Sequence, residues 1–112
     1  DIYGGGWGAD WPSAGTVIPP TLDGRKISDG SPNYEHFNEP AIDAESDRIS
    51  LETNLEQAAK DWGALDKKIM EKVPYIPYLY DKAYQIYGPK VGGVFLSKLY
   101  GGPSLNGVYL KK

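Results

Sequence analysis

The hydrophobic rhythm of the chain changes three times. Residues 1–3 form a short strand candidate, and residues 4–38 then carry no sustained period. This stretch holds Pro19-Pro20, Asp23-Gly24, Asp29-Gly30 and Ser31-Pro32-Asn33. Each predicts a turn, because Gly reaches positive φ, Pro fixes φ and Asx side chains bond their own backbone. A loop of this length inside a compact domain is usually functional or disordered. Trp7, Trp11, Tyr34 and Phe37 argue against disorder, which is poor in aromatics.

From residue 38 the period becomes helical. Asn38 is the expected cap of a first helix, Pro40 falls where a missing N–H costs nothing, and Glu39, Asp43 and Glu45 suit the positive N-terminal end. Ile42 and Ile49, seven apart, share a face, and the helix is expected to fade by Glu52. A second helix follows Thr53, whose spacing to Glu56 is that of a capping box. Leu55, Ala58, Ala59, Trp62, Leu65, Ile69, Met70 and Val73 recur at three- and four-residue steps and predict its core face. Glu56 with Lys60, and Lys67 with Glu71, are i,i+4 pairs for the wet face. Pro74 is the expected stop. Gly63 leaves room there for another element to approach.

After Pro74 the period shortens again. Tyr75–Tyr80 and Tyr84–Tyr87 read as two strands around Asp81-Lys82-Ala83. Pro77 donates no ladder bond, so the first is an edge strand or begins late. Val91–Leu96 and Val108–Leu110 are weaker strand candidates, with turns at Gly101-Gly102-Pro103 and Asn106-Gly107. A strand, a long loop, two helices and then strands define a mixed α/β (α+β) class without a complete βαβ unit. The expected organisation is one segment over 1–112: strand and loop at 1–38, two helices at 39–73, strands and tail at 74–112.

Composition narrows the function. The chain has 112 residues, 40% of them hydrophobic, with a net charge of -3 and no cysteine. Its mean hydropathy is -0.48. The basic residues are scattered, which disfavours nucleic acid as a partner. Disulfides, thiolate metal sites and Cys nucleophiles are excluded. His36 is the one histidine, so a multi-His zinc site is excluded and a catalytic triad would rest on that residue alone. Nothing orients the acidic residues into catalytic pairs. Asp43, Glu45, Asp47 and Glu52 are expected to face solvent. The expectation is therefore no enzyme, no catalytic residue, no metal and no cofactor. Nine Tyr and three Trp suit half-buried strands or a binding surface. The start at Asp1, without Met or a signal peptide, reads as a processed product or a fragment.

Four stretches carry a resemblance. "GWGADWP" at 6–12 is similar to a G-W-x-A-D-[YW] segment. "SPNYEHFNEPAIDAESDRIS" at 31–50, "AAKDWGALDKKIMEKVPYIPYLYDK" at 58–82 and "VGGVFLSKLYGGPSLNGVYLKK" at 91–112 follow in matching order. Together they resemble the C-terminal portion of family 5 (peptide/nickel type) ABC-transporter extracytoplasmic solute-binding proteins. The resemblance implies a lobe fragment of a periplasmic-binding-protein-like type II fold, whose two lobes close on a ligand. It implies a peptide or other small solute as ligand, and as partners the remainder of the solute-binding protein and a membrane ABC permease. It places the protein outside the cytoplasm, whether secreted, lipid-anchored at the cell surface or periplasmic.

It also implies a role for Asp10, which matches the family's Asp for a peptide α-ammonium. The physical logic agrees. A receptor of broad range grips groups common to all peptides, and an ammonium requires a fixed carboxylate. Trp7 and Trp11, on either side, lower the local dielectric and offer faces to side chains or to the cation. The glycines let backbone run close to an extended ligand. Gly8 stands where the family varies and widens the space beside Asp10. The ligand-binding set is thus Trp7, Gly8, Asp10 and Trp11. The opposing local reading has Asp10 capping a turn before Pro12 and both indoles in the core. An oligosaccharide, with Trp7, Trp11 and Tyr34 as platforms, is the alternative ligand class. A stand-alone secreted interaction module or inhibitor is the alternative function.

Overall fold

The computed structural model describes residues 4–79, 82, 84–97 and 102–112. The strand expected at 1–3, the end of the one expected at 75–80, and the turn residues Asp81, Ala83 and Gly101 lie outside them. The described chain forms two compact units, 1–77 and 78–112.

The first unit is helical. Its elements are α1 (Ile18–Leu22), α2 (Pro40–Ser50) and α3 (Leu55–Met70), with 3-10 turns at Ala14–Thr16 and Gly24–Lys26. The core joins Ile18 and Leu22 of α1, Ile42 and Ile49 of α2, and Trp62, Leu65 and Ile69 of α3. The helical spacing of these positions thus brings three amphipathic faces together. Ion pairs lie alongside this contact: Lys68–Glu45 at 2.6 Å and Arg48–Asp61 at 2.9 Å both link α3 to α2. Of the two expected pairs within α3, Glu56–Lys60 forms at 2.8 Å.

Several local expectations shift. Pro19-Pro20, read as a turn, opens α1 instead. The first N–H groups of a helix have no acceptor within it, so two prolines cost nothing there. Glu39, not Asn38, precedes α2 at the cap position, with Pro40 as first residue and no side-chain cap bond. Asn54, not Thr53, caps α3: its Oδ1 accepts from the backbone N–H groups of Glu56 and Gln57 at 3.0 and 3.1 Å. Asp43 does not face solvent. It is buried and accepts from the Gly24 N–H at 3.3 Å. Beside that contact the Asn38 backbone runs so close that a Cβ on Gly24 would stand 2.8 Å from Asn38 Cα. Asn33 is also buried: its carboxamide accepts from the Phe37 N–H and donates to the Phe37 carbonyl, both at 2.8 Å. One side chain thereby closes the 33–37 turn.

α3 ends three residues short of Val73, and Val73 takes a left-handed φ of 49°. A β-branched residue there is strained by about 1–2 kcal/mol. Pro74 bars the α-helical conformation at Val73, so the helix has no continuation. Substituting Val73→Gly should therefore raise the urea midpoint rather than lower it, since Val73 is exposed and loses little packing.

The second unit is a nested pair of short ladders. β1 (Val91–Gly92) pairs antiparallel with β4 (Tyr109–Leu110), and β2 (Phe95–Leu96) with β3 (Pro103–Ser104). Gly93 turns the chain at φ 71°, where an added Cβ would overlap the Gly107 carbonyl. The strands expected at 75–80 and 84–87 do not form among the described residues. Ile76, Tyr78, Leu79, Tyr84, Ile86 and Tyr87 are exposed instead. Alternating aromatics favour a strand only where a neighbouring strand offers a surface to pack on. The class remains mixed α+β, as expected.

One polar cluster secures the loop before α2. Asp23 caps the 3-10 turn through the Arg25 N–H at 3.0 Å and takes two bonds from the Arg25 guanidinium, at 2.8 and 2.9 Å. Arg25 turns its other face to Asp47, at 2.7 and 2.9 Å. These bonds hold the Asp23 carboxyl down at about 2, against an ordinary 3.8, with burial opposing them. The folded state therefore prefers the ionised form. The stabilisation is complete above 3.8 and fades as pH falls toward about 2. It amounts to at most about 2 kcal/mol. Unfolding free energies from urea titrations of the protein and of Asp23→Asn should differ by about that amount near neutral pH, and the gap should narrow on acidification. A gap independent of pH would show that the carboxylate's charge does not contribute.

Candidate functional site

The 7–16 segment is a loop held at its two ends by one residue. Thr16 is 3% exposed. Its carbonyl accepts the Trp7 indole N–H at 2.8 Å, and its hydroxyl donates to the Ser13 carbonyl at 3.0 Å, with the Trp11 carbonyl 3.4 Å away. The Ser13 N–H closes on the same Trp11 carbonyl at 2.7 Å, and the Ser13 hydroxyl accepts from the Gly15 N–H at 3.2 Å. Two residues beyond Thr16, Ile18 enters the core, so the anchor is fixed to the packed body of the unit.

Between these anchors, Gly8, Ala9 and Asp10 bond no described residue. Asp10 is exposed and caps nothing, and its carboxylate has no ion-pair partner among the described residues. Trp7 and Trp11 are 46% and 57% exposed, so neither indole belongs to the core. The opposing reading of the sequence, with a capping Asp10 and two buried indoles, is not the observed arrangement. A Cβ on Gly8 would meet no described atom within 4 Å. The four expected residues thus share one exposed loop. It presents a carboxylate that no described residue engages, open to a cation or several N–H donors, with an exposed indole on either side in sequence.

The remaining candidates lie elsewhere. His36 is an exposed turn residue at φ 51°. No cluster of three or more His, Cys, Asp or Glu side chains among the described residues is arranged to hold a metal. An open groove of about 410 Å³, lined chiefly by Ala14, Val17, Ile18, Trp62 and Tyr75, runs beside α3. Gly63 lines it too, and no described element makes the close approach expected there. Burial raises the Tyr75 phenol above its ordinary value, and the nearby carboxylates of Asp66 and Glu35 add to the rise.

Sequence reading missed Thr16 and Ser13, the residues that shape the loop. The signal was present in "WPSAGT", a Ser and a Thr three apart straight after Pro12, a spacing suited to side-chain bonds back to the backbone.

The fold is periplasmic-binding-protein-like, shared with part of a peptide-binding protein of known structure. That structure is "Clavulanic acid biosynthesis oligopeptide binding protein 2", to which the chain is 27% identical with a TM-score of 0.82. The match covers 95% of this chain and 20% of that one, so the chain spans about a fifth of its length. No protein-family model matches the chain, and no curated protein matches it.

Proposed function

We propose that the chain is the C-terminal part of a family 5 extracytoplasmic solute-binding protein that captures peptides for an ABC importer. The observation that carries this reading is Asp10: an exposed carboxylate without a partner among the described residues, between two half-exposed indoles in sequence, in a chain similar to an oligopeptide-binding protein. Asp10 takes the peptide's α-ammonium. Trp7 and Trp11 wall the site, and Gly8 leaves space for the first residue of the ligand.

Capture proceeds by lobe closure, driven by contacts that the ligand makes better in the closed state. Closure removes water from the Asp10–ammonium pair, which strengthens it. The remainder of the binding protein supplies the opposing wall. The exposed side chains of Ile76, Tyr78, Leu79, Tyr84, Ile86 and Tyr87 are consistent with this, since large apolar side chains close in sequence call for a covering surface. The chain itself performs no chemistry, and the permease receives the loaded protein at the membrane.

The test is calorimetric titration of the intact protein with an oligopeptide and with its N-acetylated form. Acetylation removes the ammonium charge and leaves the rest of the ligand unchanged, so it should abolish measurable binding. Equal affinity for the two forms would exclude Asp10 as the ammonium site. Oligosaccharide binding without peptide binding would replace the ligand class, with the indoles as sugar platforms.

A further inference from the structure

The geometry points to Thr16 as the residue that positions the Asp10 loop for its ligand, an inference that rests on the peptide-binding reading above. The free span, residues 8–10, has no hydrogen bond to any described residue. What limits its motion is the fixing of the residues at its ends. Trp7 is held by its indole N–H on the Thr16 carbonyl, and Trp11 by its carbonyl on the Ser13 N–H, with the Ser13 carbonyl in turn accepting the Thr16 hydroxyl and the Trp11 carbonyl 3.4 Å from it. Both restraints meet at one buried residue, next to the first core position of α1. Thr16 is itself buried, so its part is to bond the residues that wall the proposed ligand site. It acts through Trp7 and Trp11, fixing the separation of the two indoles and the arc on which Asp10 stands.

This matters because a mobile carboxylate loses conformational freedom on binding, whereas a restrained one has already lost it. Gly8 makes the restraint more consequential, since glycine backbone is the least restricted of all. The hydroxyl is the separable part of the anchor. Removing it takes away one of the two bonds from Thr16 to the Ser13 carbonyl and so loosens the Ser13–Trp11 end, while the carbonyl that holds Trp7 remains.

The experiment compares Thr16→Val, which keeps the branched shape without the hydroxyl, with Thr16→Ser, which keeps the hydroxyl. Backbone order parameters of residues 8–11 are read by selective ¹⁵N labelling of the intact protein, alongside oligopeptide affinity and the urea midpoint. In Thr16→Val the order parameters of the 8–11 amides should fall below those of the parent, to about 0.6 or lower. Peptide affinity should weaken about tenfold. Thr16→Ser should restore both. A general loss of stability would lower the urea midpoint without this local pattern or the serine rescue.

Amides that stay as ordered in Thr16→Val as in the parent would overturn the proposal. So would loosened amides with unchanged peptide affinity. If the parent binds no peptide, the peptide-binding reading fails by itself. The order parameters and the serine rescue then decide whether Thr16 restrains the loop.

Discussion

Asp10→Asn in the intact protein should weaken oligopeptide binding by about 3 kcal/mol, roughly a hundredfold, while leaving stability almost unchanged. The substitution keeps the shape of the side chain and removes its charge. In the unliganded chain that charge contacts no described residue, so its loss removes no bond to any of them. In the complex the ammonium would be left in a closed site facing a neutral amide, which costs its desolvation without return. The pairing of effects is what tests the assignment, by titration calorimetry with urea unfolding on the same samples. Lost affinity together with lost stability would make Asp10 a structural residue. Unchanged affinity would remove it from the site.

Leu65→Ala should lower stability by about 2–5 kcal/mol. Leu65 is fully buried, among side chains from all three helices of the first unit. Truncation leaves a cavity that the rigid faces of α2 and α3 fill only in part. A domain of ordinary stability holds about 5–15 kcal/mol in total, so the loss is a large share. Leu55 is the internal control. It is the same residue type on the same helix but 84% exposed, and its replacement by Ala should change stability by no more than about 0.5 kcal/mol. Urea midpoints of the two variants that coincide would show that the helix faces are wrongly assigned.

The contrast between these leucines shows what could be read in advance. The period of three and four residues located α3 and chose its buried face, because amphipathic spacing is local information. It did not find where the stripe stops being buried, since Leu55 and Val73 follow the same spacing and are exposed. That depends on the length of the elements packed opposite. Caps slipped by one residue because Thr53 and Asn54 are both able to accept from the first turn, and only the backbone angles choose between them. Asp43 was misplaced for a different reason. Its partner, the Gly24 N–H, lies nineteen residues away, and no local pattern announces such a bond.

The aromatic alternation of 75–87 suggested strands because β propensity describes fit to a neighbour, and the neighbour was assumed. For the site, the identities of Trp7, Gly8, Asp10 and Trp11 stood in the sequence. Their shared exposure, and the way Thr16 ties the loop, come only from the fold.

Two glycines illustrate how differently this chain would answer to random variation. Gly93 has no room for any side chain and sits at a φ that other residues avoid. Among variants sorted for folded protein, that column should empty of everything but glycine. A Cβ on Gly8 would meet no described atom, and its φ lies outside the left-handed region, so the same sorting should leave its column as mixed as the mutagenesis made it. A second sorting, for ligand capture, is the only pressure that would narrow it. The distance between the two profiles at position 8 would record how closely the bound ligand approaches this backbone, without a structure of the complex.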